Sequence, residues 1–381
     1  MKRVGVAELP LHPGRCPPWL FSRMKCLGGA LSELIVHEYG RHEFLRRMSD
    51  PFFFQAFGCA LGFDWHSSGL TTTVCGALKE AIRPDAFGIA VCGGKGRASR
   101  RTQDETEELA DVFSLSTQKI GSLKYASKMA AKVDNSCVQD GYPLYHHSFI
   151  ISEDGDWAVV QQGMQGRLAR RYHWLSDNVR SYVEEPHSGI STDRQEQSVL
   201  DMTARESEDA RKISLDLVRE HPNRLRHLSR GAEQVSIDQY LPHHDEVQVL
   251  IMPIQHAILK LSERTMEVLR RAYELQPDSY EDLVAIRGIG PKAIRALALI
   301  SDLVYGSAPS WKDPAKYSFA HGGKDGIPFP VDKRTYQKSI EIIENATSSA
   351  KAGQKEKMEA IRRLRQYFSN IIDEPSASAS R

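Results

Sequence analysis

The chain has 381 residues, a length that suits two domains and a small further module. Its 41% hydrophobic and 26% charged residues exclude a mostly disordered chain, and its 27 Gly and 6 Cys are too few for a collagen-like or disulfide-scaffold protein. Lys+Arg 50 against Asp+Glu 49 gives a net charge of +1, so any nucleic-acid binding has to come from local patches and not from a polybasic whole.

No stretch reaches the roughly eighteen apolar residues of a membrane span; Phe52–Phe63 is short and interrupted by Gln55. The opening MKRVGVAELPLHPG has two basic residues but no sustained apolar region, so it does not read as a signal peptide, and a cytoplasmic protein is expected. The cysteines, Cys16, Cys26, Cys59, Cys75, Cys92 and Cys137, form no CxxC pair. They read as buried reduced thiols, with a zinc site from Cys16, Cys26 and His12 as the alternative.

In chain order, VGVAEL reads as a first strand. GGALSELIVHEYGRHEFLRRMSD reads as one helix, opened by Gly28–Gly29 and stopped by Asp50–Pro51. FFFQAFGCALGFDW is aromatic and buried by expectation. SSGLTTTVCGALKEAI becomes helical, and FGIAVCGG is a strand ending in a glycine turn. Two helices follow, TEELADVFSLS and GSLKYASKMAAKVDNSCVQD. LYHHSFIIS and DWAVVQQGM then form a hairpin about Glu153–Asp154–Gly155. Residues 184–197 read as a polar loop, and 198–232 as a charged helical connector with no core role. Helical patterning resumes at HAILKLSERTMEVLRRAYEL. Terminal helices are expected near 333–345 and 351–370, before a disordered tail.

The expected fold is therefore an α/β or α+β N-terminal domain and a helical C-terminal domain. The boundaries are 1–200 for the α/β domain, 201–250 for the charged connector, 251–345 for the helical domain with a basic extension, and 346–381 for the charged helix and tail.

The most specific pattern is LVAIRGIGPKAIRAL, residues 283–297. Leu283 and Ile286 end a short helix. Gly288 supplies the backbone freedom of a tight turn, and Ile289 plugs that turn into the core. Gly290 allows close backbone approach to a phosphate, and Pro291 suits the first position of the next helix. That helix starts with unsatisfied N–H groups beside Arg287, Lys292 and Arg295, an arrangement suited to phosphate. The stretch resembles the helix-hairpin-helix family of sequence-independent DNA-binding modules. The resemblance implies backbone contacts through Arg287, Gly288, Ile289, Gly290, Lys292 and Arg295. The residues by themselves also allow a glycine turn that merely joins two packing helices. Between Leu283 and Ile340, nine Lys/Arg face four Asp, an excess of five in a chain that totals +1. HGGKDG, 321–326, adds a second glycine loop; its Lys324 reads either as a further backbone clamp or as part of a surface turn.

The first domain is less specific. His37-Glu38-Tyr39-Gly40-Arg41-His42 places its histidines five apart, not the four that HExxH needs to share a helix face. Gly93-Gly94-Lys95-Gly96-Arg97 lacks P-loop spacing and reads better as a basic loop. His146 and His147 open an apolar strand, the partner strand carries Asp156 and Gln161–Gln162, and His66 stands in DWHSSG. Asp140, Arg170, Arg171 and His173 are near in sequence. Carboxylates, histidines and cations are the ingredients of metal-assisted phosphodiester hydrolysis. His146, His147, Asp156 and His66 are thus the candidate catalytic residues, with His146 and Asp156 as ligands of Mg²⁺ or Mn²⁺. Satisfied core histidines are the competing reading.

Four stretches, GVAELPLHPGRCPPWL, HHSFI with WAVVQQGMQ, RYHWLS and KYSFAHGGKDGIPFPV, resemble a prokaryotic family catalogued as a domain of unknown function. That resemblance implies an N-terminal α/β domain followed by a helix-hairpin-helix, with a nuclease or DNA-processing role suspected. The leading expectation is a DNA-binding, metal-dependent nuclease of repair or recombination. A non-enzymatic, homo-oligomeric DNA-binding scaffold and an RNA-processing factor are the alternatives.

Overall fold

A computed structural model describes residues 16–63, 69–192, 194–225, 261–318 and 333–349, with isolated positions between 353 and 362. The VGVAEL segment, His12, His66, the 321–326 loop with Lys324 and most of 351–370 lie outside the described residues.

The chain is mixed α/β. Helices α1 (Pro18–Tyr39), α2 (Arg41–Met48), α3 (Pro51–Ala60), α4 (Gly69–Ala81) and α5 (Pro84–Phe87) precede β1 (Ile89–Lys95). Helices α6 (Thr102–Val112) and α7 (Thr117–Ser136) follow, then β2 (Val138–Gln139), β3 (Leu144–Ser152), β4 (Trp157–Gln165), β5 (Leu168–Leu175), β6 (His187–Thr192) and β7 (Leu200–Asp201). The C-terminal part holds α8 (Glu208–Arg219), α9 (Glu263–Leu275), α10 (Tyr280–Ala285), α11 (Pro291–Tyr305), β8 (Tyr317–Ser318) and α12 (Lys333–Ser349).

The main sheet runs β1-β3-β4-β5-β6-β8. Its first five strands are antiparallel, and β8 joins β6 in parallel. The expected β3–β4 hairpin forms, with Ile151 opposite Trp157 and His147 opposite Gln161. The sequence around 184–197 is polar enough to read as a loop, yet it contains β6: His187–Thr192 pairs with β5 and buries Ile190. The single helix expected over 28–50 is two, divided at Gly40. Ser49 closes the second, and Asp50 caps α3, accepting from the Phe52 and Phe53 amides at 2.8 and 3.0 Å, with Pro51 at the first helical position.

Both faces of the sheet are covered. On one face Val91, Ile150, Val160 and Leu175 pack with α1–α4, and Ile342, Ile343 and Ala346 of α12 return to the same cluster. On the other, Cys92, Phe149, Val159 and Trp174 pack with α6 and α7, and Met266, Leu283, Ile289, Ile294 and Leu297 join that cluster. Residues 266–300 thus share one core with the sheet. Helix α8, expected as a connector, is part of it: Ala210, Arg211, Ser214, Leu217 and Val218 form a buried stripe, while Glu208, Asp209 and Lys212 hold the solvent side. Charge on one face concealed the apolar stripe on the other. No helix among the described residues is long and apolar enough to cross a membrane.

Candidate nucleic-acid interface and the buried histidines

Helix α10 begins with a reciprocal cap. The Asp282 amide donates to Ser279 Oγ and the Ser279 amide to Asp282 Oδ2, both at 3.1 Å. After two turns the chain reverses. Gly288 has φ +101°, and a Cβ there would meet Val268 of α9 at 3.0 Å, so this position needs glycine. Ile289 is buried in the core and its amide donates to the Ile286 carbonyl at 3.2 Å. Gly290 differs from Gly288. Its φ of −148° and ψ of −171° suit any residue, and an added Cβ would meet only Gly288 O, at 3.8 Å. The fold itself does not require glycine there. Pro291 then opens α11.

Arg287, Gly288 and Lys292 are exposed on this turn, and neither cation has an ion pair among the described residues. Arg295 is placed differently. Its guanidinium lies 5.5 Å from the centre of the Trp311 ring and is half-buried, which pulls its pKa down. Beneath the turn runs α7. Lys128 Nζ donates to the Ala285 carbonyl at 3.3 Å, Lys132 Nζ donates to the Ile286 carbonyl, and Gln139 Nε2 donates to the Pro291 carbonyl at 2.8 Å. Burial, and then the neighbouring Lys128 charge, push the Lys132 ammonium down to about 8.

The histidines of β3 lie inside. Alternation sends His146 and His147 to opposite faces of the sheet, but helices cover both, so neither reaches water. His147 Nδ1 is 2.8 Å from Gln161 Oε1. Gln161 Nε2 donates to the Ala130 carbonyl at 3.0 Å and to the Asp134 carboxylate, so Oε1 must accept. The His147 proton therefore sits on Nδ1, and Nε2 accepts from the Ser127 hydroxyl at 2.9 Å. Burial lowers the His147 pKa and keeps the ring neutral. Asp134 also accepts from Trp174 Nε1 at 3.0 Å and His187 Nε2 at 2.5 Å.

On the opposite face, His146 Nε2 lies 3.0 Å from Ser148 Oγ, and Nδ1 has no hydrogen-bond partner among the described residues. Burial, helped by His147 and Lys95, pushes His146 down to about 3. His173 is likewise held neutral by burial. Its Nε2 accepts from Arg171 Nε at 2.8 Å and its Nδ1 donates to the Met48 carbonyl at 3.1 Å.

The pairing of His146 with Asp156 as metal ligands is not formed. His146 stands opposite Gln162, while Asp156 lies in the turn beyond Trp157, six residues along β4. That separation is about 20 Å at strand spacing. The alternating pattern placed both on one hairpin but at opposite ends of it. Among the described residues no group of three or more His, Cys, Asp or Glu is arranged to hold a metal ion. Cys59, Cys75, Cys92 and Cys137 are buried free thiols, while Cys16 is half-buried and Cys26 exposed.

The glycines of the basic loop have an internal role. A Cβ on Gly93 would meet the His147 carbonyl at 2.3 Å, and the Gly93 amide donates to Glu105 Oε2 at 2.7 Å. That amide is engaged and does not offer itself to a phosphate. The polar residues near β5 are structural as well. Arg170 bridges Asp140 and Asp313, and Tyr172 donates to Asp140 at 2.6 Å.

Sequence reasoning missed Lys128, Lys132, Asp134 and His187. Each lies far along the chain from the residues it serves, and only the spacing of Lys128 and Lys132 on one helix face was visible. No curated protein and no solved structure matches the chain. Residues 5–331 match the family described as Protein of unknown function (DUF763), and on a match of that length the chain belongs to this family.

Proposed function

We propose that this protein binds nucleic acid, duplex DNA in the first place, through the sugar–phosphate backbone at residues 287–292. The supporting observation is the exposed turn itself. Arg287 and Lys292 carry no ion pair among the described residues and flank Gly290, whose lack of a side chain the fold does not need. Gly290 therefore leaves room on the outside of the turn. Amides at the start of α11 and the two cations supply donors for phosphate oxygens, which is the chemistry of a helix-hairpin-helix. Such contacts read no base, so binding is sequence-independent and strongly salt-dependent.

The burial of His146 and His147 in the neutral state, and their distance from Asp156, favour a binding role over metal-assisted cleavage at those residues. The test is anisotropy of a labelled duplex with the wild type, Gly290→Val and Lys292→Glu, with folding checked by thermal melting. Both variants are expected to weaken binding tenfold or more, and Lys292→Glu to flatten the salt dependence. Unchanged binding in both folded variants would remove this turn as the contact. The same samples incubated with Mg²⁺, Mn²⁺ or EDTA separate binding from cleavage, and an RNA duplex of equal length separates the DNA from the RNA reading.

A further inference from the structure

We propose that α7 of the sheet-bearing half completes the nucleic-acid site, with Lys128 and Lys132 binding backbone phosphates beside the one held at Gly290–Lys292. The inference rests on the backbone-binding reading above and extends it to a second element, more than 150 residues earlier in the chain.

The geometry carries it. Lys128 and Lys132 stand one helical turn apart, on the same face of α7. Both ammonium groups reach the turn itself, at the Ala285 and Ile286 carbonyls, immediately before Arg287. Each ammonium has three donors and uses one on a carbonyl, which leaves two for another acceptor. No carboxylate forms an ion pair with either lysine among the described residues. By contrast, Lys124, one turn earlier on α7, is neutralised by Glu107 at 2.6 Å. Four cations from two separate elements, Lys128, Lys132, Arg287 and Lys292, thus gather around one turn.

A like-charge cluster of this kind is unfavourable without an anion. Burial first, and then the Lys128 charge, lower the Lys132 pKa, and a bound phosphodiester offsets both by favouring the charged ammonium. Lys128 is exposed, so its ammonium is open to a further acceptor while it caps the Ala285 carbonyl at the end of α10. The chemistry that fits is a row of phosphodiesters, whose repeated charges match cations set on two elements around one turn.

The experiment uses the full chain and a fluorescein-labelled 20-base-pair duplex, titrated by anisotropy at several salt concentrations. The variants are Lys128→Gln, Lys128→Gln with Lys132→Gln, and the double Lys→Arg exchange. Gly290→Val reports on the hairpin, and Lys25→Ala on α1 controls for general charge loss. The double Gln variant is expected to bind about tenfold more weakly, with the slope of log K against log salt reduced by about two, close to one per lost phosphate contact. The Arg pair should keep the slope, and Lys25→Ala should match the wild type. Lys128→Gln alone, at an exposed position, keeps the test valid if loss of Lys132 disturbs folding; its slope should fall by about one. If Gly290→Val weakens binding while both Gln variants keep wild-type affinity and slope, α7 is not in the site and the hairpin reading stands alone. If the Gln variants lose binding but Gly290→Val and Lys292→Glu do not, the shared site is wrong. A wild type that binds no duplex overturns both.

Discussion

Arg170 on β5 donates through Nη1 and Nη2 to both carboxylate oxygens of Asp313, at 3.0 and 2.7 Å, across 143 residues of sequence. Its Nη1 also reaches Asp140 at 3.1 Å. The guanidinium is fully buried, so the two carboxylates are what makes its burial tolerable. This pairing holds the segment leading to β8 against the sheet, where Asp313 also accepts the Glu196 and Ala315 amides.

Replacing Arg170 by Met keeps much of its volume but leaves two buried carboxylates facing each other. A loss of about 3–5 kcal/mol is expected, as for other broken buried pairs. Urea unfolding followed by tryptophan fluorescence measures it. A loss under about 1 kcal/mol would mean that the bridge is far more solvated than it stands in the structure.

Asp140 gives a pH signature of the same network. Burial raises its pKa to about 6, against the opposing pull of Arg170. A folded pKa above the unfolded value means that the contribution to stability is complete below about pH 4 and is lost as pH rises through 6. Asp140→Asn lacks this term. The stability of the wild type relative to Asp140→Asn should therefore fall by about 2 kcal/mol between pH 4 and pH 7. A difference that is flat or rises over that range would contradict the assignment. Urea midpoints at half-unit steps of pH supply the measurement.

Asp134 is the acceptor for three side chains, Gln161, Trp174 and His187. Asp134→Ala leaves three donors without it, and only the Ala130 carbonyl then fixes the Gln161 amide that holds His147 in its Nδ1-protonated form. A destabilisation of about 3 kcal/mol or more is expected, since each buried group left unsatisfied costs about 1–3 kcal/mol. In nitrogen NMR spectra the His147 tautomer signal should change in Asp134→Asn if that variant folds. An unchanged signal together with unchanged stability would show that the network is not coupled.

The two hairpin glycines should separate fold from function. Gly288→Ala forces a positive φ on an L side chain against Val268 and should cost about 1–3 kcal/mol. Gly290→Ala sits in extended backbone with open space and should change stability by less than about 0.5 kcal/mol. If Gly290→Ala melts as early as Gly288→Ala, Gly290 serves the fold and not phosphate approach.

Much of this molecule was readable from local pattern. The β3–β4 hairpin follows from two alternating runs about Glu153–Gly155, and the turn at Gly288–Pro291 follows from a glycine that must take positive φ and a proline that suits a helix start. Burial of Ile289 was legible for the same reason. These features depend on residues within a few positions of one another, so spacing carries the information. What the tertiary structure decided depends on residues far apart in the chain. Whether His146 faces water depends on α12 and α1–α4 covering a sheet face, and no periodicity in β3 records that. The charged stretch 198–232 hid a core helix, because polar residues on one side of α8 masked the buried stripe on the other. Asp134 meets His187, Arg170 meets Asp313, and Lys132 meets Ile286 only because strand order and helix layering bring them together. Local sequence sets backbone preference and amphipathic period; the packing of layers sets which buried polar groups find each other.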